Sequence, residues 1–210
     1  MNQRSQGPWA ILSNSSVYKT FQSLIRRGSF RERYIRDYLK PRAGDKILDV
    51  GCGPAAILAL LPDVTYTGID FEQHYIDQAT EVYAGRPNCR FLKQDVRDLT
   101  AAESASYDIV ISAGVLHHLD DDVVTSLVST AHQLLKPGGR LFTLDPARTA
   151  NQHPVAKLLV SLDRGRHIRQ PETYQTLVAK SFGLENCKVT VLHDGMKVPY
   201  THCITVSEKV

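Results

Sequence analysis

Residues 47–58 read "ILDVGCGPAAIL", and the reading of this stretch decides the organisation of the whole chain. Its first half is apolar apart from Asp49, as expected of a strand buried on both faces. Gly51 and Gly53 then allow the backbone to turn tightly and approach a ligand with no Cβ in the way. A turn of this kind sits at the carboxyl edge of an open parallel sheet, where such sheets bind nucleotides. Which nucleotide is an open question at this point. The dinucleotide fingerprint is GxGxxG, whereas this loop runs Gly51-Cys52-Gly53-Pro54-Ala55-Ala56 and ends on alanine.

Outward from the loop, strands and helices alternate. Strand candidates cover residues 46–50, 65–69, 89–93, 107–112 and 140–144, with helical stretches at 55–61, 72–84, about 98–103 and 121–135 between them. This rhythm predicts a doubly wound, Rossmann-like α/β fold. It breaks near the end, where residues 171–181 read as a helix opened by Pro171. "CKVTVLHDG" and "YTHCITVSEK" follow as two strands with no helix between them, so they are expected to pair antiparallel. The expected sheet has five parallel strands and a C-terminal antiparallel hairpin. Upstream, Val17, Tyr18, Phe21, Leu24, Ile25, Ile35, Tyr38 and Leu39 fall at helical spacing, split at Gly28 and Ser29. The chain thus divides into N-terminal helices over 1–43, read as a lid or as packing for the sheet edge, and a main domain over 44–210 carrying an insertion at about 147–170.

Bulk properties narrow the classes. The 210 residues suffice for one domain with a real core. Hydrophobic residues at 42% and charged residues at 22% exclude wholesale disorder, and a net charge of +3 is too small to point to nucleic acid. No apolar run approaches the roughly 20 residues of a membrane span, and the first residues lack the apolar core of a signal peptide. Cys52, Cys89, Cys187 and Cys203 contain no CxxC pair, so neither a metal site nor a disulfide framework is expected. The reading is a cytoplasmic chain with reduced thiols. No pattern specifies an oligomeric state.

Three acids give the loop its context. Asp70 ends the second strand in "YTGID", where a carboxylate accepts from both ribose hydroxyls or caps the following helix. Asp95 ends the third strand in "FLKQDVRDL", placed to accept from an adenine amino group with the Val96 amide facing the ring, or to cap its own loop. Asp49 adds negative charge just before the glycines. A pyrophosphate would instead be held by free amides at a helix N-terminus. The combination favours a ligand with an ammonium group and no pyrophosphate over NAD.

"LDVGCGP", "YTGID", "LKQDVRDL", "YDIVISAGVLHHL" and "LLKPGGRLFTLDP" together resemble, in order and spacing, the motifs of class I S-adenosylmethionine-dependent methyltransferases over residues 44–146. The resemblance implies that Asp49, Gly51 and Gly53 contact the methionine moiety of S-adenosylmethionine and that Asp70 binds its ribose. It implies further that Asp95 and Val96 hold the adenine, and that Ser112 and Ala113 border the sulfonium. One departure is Ala55, where many members carry glycine; at the start of a helix alanine is well tolerated.

Methyl transfer to a hydroxyl or ammonium requires positioning of the acceptor and removal of a proton. His117 and His118 follow the fourth strand in "GVLHHLDDD", and histidine titrates near neutrality, so both are candidate bases or acceptor contacts. Asp145 leaves the fifth strand toward the same rim. Asp120, Asp121 and Asp122 are expected to cap the helix that follows them and complement its dipole. In the insertion, "DRGRHIR" offers Arg164, Arg166 and Arg169 to a phosphate or carboxylate on the acceptor. The expected activity is methyl transfer to O, N or C of a small molecule. An RNA or tRNA methyltransferase and a non-catalytic cofactor-binding scaffold stand as alternatives.

Overall fold

The structure, a computed structural model, describes residues 30–100, 104–163, 165–193 and 199–210. A seven-stranded sheet forms its centre. Strands β1 (Lys46–Val50), β2 (Thr65–Asp70), β3 (Cys89–Lys93), β4 (Tyr107–Ala113) and β5 (Leu135–Pro146) run parallel in the spatial order β3-β2-β1-β4-β5. Strand β7 (His202–Glu208) then pairs antiparallel with β5, and β6 (Cys187–Leu192) antiparallel with β7, so the last strand of the chain inserts between the two before it. The five parallel strands and the antiparallel pair are those expected. The order reverses between β1 and β4, and ligand sites in such sheets lie at that reversal, beyond the carboxyl ends.

Strand residues alternate between two cores. Leu48, Val50, Val110 and Leu141 face helices α3 (Asp121–Leu134) and α5 (Pro171–Phe182), which bury Val124, Leu127, Val128, Leu177 and Val178 on that side. On the other face, Ile47, Ile109, Ile111 and Phe142 meet Leu58, Leu61 and the helix α1 (Phe30–Tyr34) with its π-type continuation Ile35–Leu39. Tyr34 stacks on Phe142 at 5.1 Å between ring centroids, and the Arg140 guanidinium donates to the Leu39 carbonyl at 2.9 Å. The segment 30–39 therefore packs along the sheet, and only Phe30, 5.1 Å from the His202 ring, reaches its carboxyl rim. Tyr18 and Phe21, the other aromatics of the expected lid, lie outside the described residues.

One expected helix is absent from its place. Residues 55–61 form only a 3₁₀ turn at Leu58–Leu60, because Gly51, Gly53 and Ala55 all adopt positive φ and interrupt right-handed winding. Ala55 has φ +51°, so it is not the first residue of a helix but a left-handed turn residue, a conformation that disfavours any side chain. The stretch near 98–103 contributes a 3₁₀ turn at Val96–Asp98, its last residues lying outside the described ones. Helices α2 (Gln73–Val82) and α4 (Pro154–Ser161) complete the set. Among the described residues, no helix is long and apolar enough to cross a membrane.

If α1 is part of the core, Tyr34→Ala should cost about 3 kcal/mol, the usual loss for a buried aromatic ring. The measurement is the urea midpoint at constant slope; a shift worth less than about 0.5 kcal/mol would show that α1 adds little to the fold.

Candidate active site

The glycine loop is tied to β2 by its own backbone. Gly51 and Cys52 amides both donate to the Ile69 carbonyl, at 2.8 and 3.0 Å, and the Gly53 amide donates to Asp70 Oδ2 at 2.9 Å. Asp70 Oδ1 takes the Glu72 amide at 3.0 Å, a turn bond just before α2; the N-cap residue of α2 is Glu72, and no side chain among the described residues caps the helix. A Cβ on Gly51 would collide with Val115 Cγ2, which fixes glycine there. Tyr83 of the α2 end holds the loop from outside, its hydroxyl donating to the Ala55 carbonyl at 3.0 Å.

Gly51, Asp70, Phe71, Asp95, Val96 and Val115 line a cleft at the reversal of strand order. Its polar side chains include two carboxylates and no lysine or arginine. Asp95 accepts from the Arg97 amide and Nε at Oδ1 and from Arg97 Nη2 at Oδ2, 2.5 Å away; this side-chain pairing lowers its carboxyl to about 2. Its Oδ2 keeps acceptor capacity for an amino group. Asp49 lies behind the loop, 4% exposed, with Oδ2 taking the Tyr66 hydroxyl at 2.5 Å. Burial pushes its carboxyl up to about 7, against the opposing effect of that hydrogen bond.

These features test the expected cofactor. The amides that would cradle a pyrophosphate are spent on β2, Pro54 has none, and no α-helix N-terminus follows the loop. The carboxylates of Asp70 and Asp95 in the cleft, with the Asp49 carboxyl behind the loop, are oxygen groups suited to hydroxyl, amino and ammonium donors. The site fits S-adenosylmethionine and does not fit a dinucleotide.

Ala113 is half-buried and Gly114 exposed at the end of β4, forming part of the rim. Ser112 departs from expectation. It is fully buried among the strands, its Oγ without a hydrogen bond among the described residues, because its side chain alternates inward while Ala113 turns the other way.

Beyond β4, the insertion is clamped down by charge. His117 is 5% exposed, with Nδ1 at 2.8 Å from Asp145 Oδ1 and Nε2 at 3.4 Å from Asp163 Oδ1. Its backbone amide also donates to Asp145 Oδ1 at 3.2 Å. Burial opposes charge on the ring, but hydrogen bonds to the two carboxylates outweigh it and raise His117 to about 9. Asp163 is held well below the usual carboxylate range, burial being overridden by His117 and by the Gly165 amide and Tyr200 hydroxyl at 2.8 and 3.0 Å. Asp145 Oδ2 is buried with no hydrogen bond among the described residues. His118, half-buried, packs its ring 4.0 Å from that of His117.

Arg169 does not offer itself to an acceptor anion. Its buried guanidinium is spent inside the protein, on the carbonyls of Leu116, Leu119 and His167 and on Asp121 Oδ1, at 2.6–2.9 Å. His167 Nε2 pairs with Asp120 Oδ1 at 3.0 Å. Asp120 occupies the N-cap position of α3 without a side-chain cap bond, and Asp121 and Asp122 lie in its first turn as expected for the dipole; Asp120 and Asp121 also anchor the insertion through His167 and Arg169. Arg166 is exposed and Arg164 lies outside the described residues. Sequence reading passed over Tyr66, Tyr200 and Gly165. Only the last left a usable trace, a glycine inside "DRGRH": a Cβ there would strike the His117 ring.

With this geometry described, comparison with known proteins is direct. A methyltransferase domain family matches residues 47–139. The chain is 35% identical over 113 residues to a 27-O-demethylrifamycin SV methyltransferase of Amycolatopsis mediterranei, covering 48% of this chain and 38% of that protein. It is 29% identical over 183 residues to a ubiquinone biosynthesis O-methyltransferase of Thiobacillus denitrificans, covering 81% and 77%. The chain spans about half the length of further ubiquinone biosynthesis O-methyltransferases that it matches, 43–58%. Among solved structures, the S-adenosylmethionine-dependent methyltransferase SibL superposes with a TM-score of 0.68 at 17% identity, covering 92% of this chain and 56% of that one; the likeness is one of fold.

A histidine raised above its unfolded value contributes stability that is complete below about 6.5 and is lost as pH climbs through about 9. The thermal midpoints of the wild type and His117→Gln should therefore differ most near pH 6 and converge toward pH 10. A gap that stays constant with pH would mean that the ring is neutral.

Proposed function

Residues 47–139 are a methyltransferase domain of the class I S-adenosylmethionine-dependent family, and from that premise we propose that the chain methylates a small molecule, with a hydroxyl oxygen as the favoured acceptor atom. The observation that carries this reading is the cleft itself: lined by the Asp70 and Asp95 carboxylates, with no lysine or arginine among its lining residues, and built around an Asp70 carboxylate already oriented by two backbone amides. The oxygen preference follows the printed activities of the curated relatives, several of which are O-methyltransferases.

When bound, S-adenosylmethionine supplies an electrophilic methyl group on sulfur and leaves as a neutral thioether. The chain's own residues bind and orient. Asp70, oriented by the Gly53 and Glu72 amides, would hold the ribose hydroxyls on its remaining lone pairs, Asp95 with Val96 would hold the adenine, and Asp49 would hold the ammonium. His117 holds its proton between Asp145 and Asp163, so it orients the rim instead of abstracting a proton. Asp145 Oδ2, buried and with spare acceptor capacity, is the candidate group to hold the hydrogen of an acceptor hydroxyl, and His118, packed against the His117 ring, is a candidate acceptor contact. RNA as acceptor has lost its best support, since Arg169 is engaged within the protein.

Titration calorimetry with S-adenosylmethionine, S-adenosylhomocysteine and NAD tests the donor. Asp70→Asn should weaken the first two by about 1–3 kcal/mol, roughly 5- to 150-fold, because buried polar groups lose a charged partner. Binding of NAD alone would sink the proposal. Labelled-methyl transfer to hydroxylated small molecules, absent with RNA, tests the acceptor, and Asp145→Asn should lower kcat on any substrate found.

A further inference from the structure

Asp49 and Tyr66 form a buried pair that the reaction as described does not explain. Register places Ile47 opposite Tyr66 and Asp49 opposite Gly68, so all four occupy one face of the sheet. Tyr66 is fully buried, and its ring can lean toward Asp49 because Gly68 carries no side chain. A Cβ at Gly68 would come within 2.8 Å of Cys52 Sγ and 3.1 Å of Tyr66 Cε1. The hydroxyl then donates to Asp49 Oδ2 at 2.5 Å. This bond engages Oδ2, so Oδ1 keeps acceptor capacity.

Resting on the S-adenosylmethionine reading of the cleft, the geometry points to Tyr66 as a positioning residue that holds Asp49 by Oδ2 and leaves Oδ1 for the ammonium of the cofactor. The titratable groups facing Asp49 are all anionic or neutral. Tyr66 and Asp70 approach from β2 and the Cys52 thiol from the loop, Tyr34 of α1 lies beyond Tyr66, and β4 presents Ile111. No lysine or arginine among the described residues contributes to the setting of Asp49. With burial holding its carboxyl near 7, the Tyr66 hydrogen bond is what favours its charged form, apart from the ligand itself. Cofactor affinity thus becomes linked to one proton at Asp49, rising as pH rises through neutrality.

The test measures affinity for S-adenosylhomocysteine, which carries the ammonium, and for 5′-methylthioadenosine, which lacks the amino-acid portion, by calorimetry from pH 6 to 9. In the wild type, the ratio of the two affinities should climb from pH 6 to 8. Tyr66→Phe leaves packing intact and makes Asp49 about 5- to 50-fold less ionised at pH 7. Homocysteine-ligand affinity should fall by that factor at pH 7, and the deficit should shrink to about twofold by pH 9 as Asp49 ionises again. Comparing variant with wild type at each pH cancels titration of the ligand's own amine. Methylthioadenosine should bind the variant as it binds the wild type. In an Asp49→Asn background, where the homocysteine ligand binds weakly at every pH, Tyr66→Phe should change nothing further.

Equal losses for both ligands would assign Tyr66 a packing role and overturn the inference, as would a pH-independent deficit or a flat wild-type ratio. That last result needs no variant to fold. A wild type that binds methylthioadenosine but fails these comparisons refutes the Tyr66 role alone. A wild type that binds neither ligand refutes the cofactor reading on which it rests.

Discussion

One carboxylate holds the donor side of this structure together. Asp70, at the last position of β2, accepts the Gly53 amide on one oxygen and the Glu72 amide on the other, joining the glycine loop, the strand end and the start of α2. A charged acceptor with two backbone donors is strong enough to set loop geometry. The consequence reaches further than the loop. Because the Gly51 and Cys52 amides are also spent on β2, the turn cannot serve as an anion nest, and the cleft presents carboxylates where a dinucleotide site presents amides. The choice of ligand thus follows from where a few backbone hydrogens point.

The rim on the acceptor side obeys a different rule. There a buried cluster, Asp145–His117–Asp163, and a buried guanidinium, Arg169, pull the insertion onto the loop after β4. Buried charges cost desolvation and rarely add much stability over apolar packing. Their value is geometric: each ring or fork nitrogen has a fixed partner, so the segment is held in one register. Gly165 belongs to the same design, since only a residue without a side chain lets the insertion lie against His117.

How much of this could be read from the sequence depends on the range over which each feature is set. The parallel strands were legible because their apolar runs are local and continuous, and the hairpin because no helix separates its strands. Asp70 was legible for the same reason, as a strand-ending acid at a fixed place in the alternation. The helix expected after the glycine loop failed because three left-handed residues at alternate positions, Gly51, Gly53 and Ala55, cannot be recognised from type alone when one of them is alanine. Ser112 was expected at the site and lies beneath it, because a one-residue alternation decides which way a strand side chain faces.

The amino-acid sequence by itself determined the alternating architecture, the position of the ligand loop and the acidic character of the donor cleft, since these rest on periodicity and on residues close together in the chain. The tertiary structure alone decided how the charges are spent. Asp120, Asp121, His117 and Arg169 read as caps, bases or anion contacts until the insertion, some fifty residues downstream of the first three, is laid against them. Tyr66 found its role only when register brought its hydroxyl to Asp49 across the empty face of Gly68. Electrostatic roles are pairwise and long-range in sequence, so no local pattern can specify them before the chain has folded.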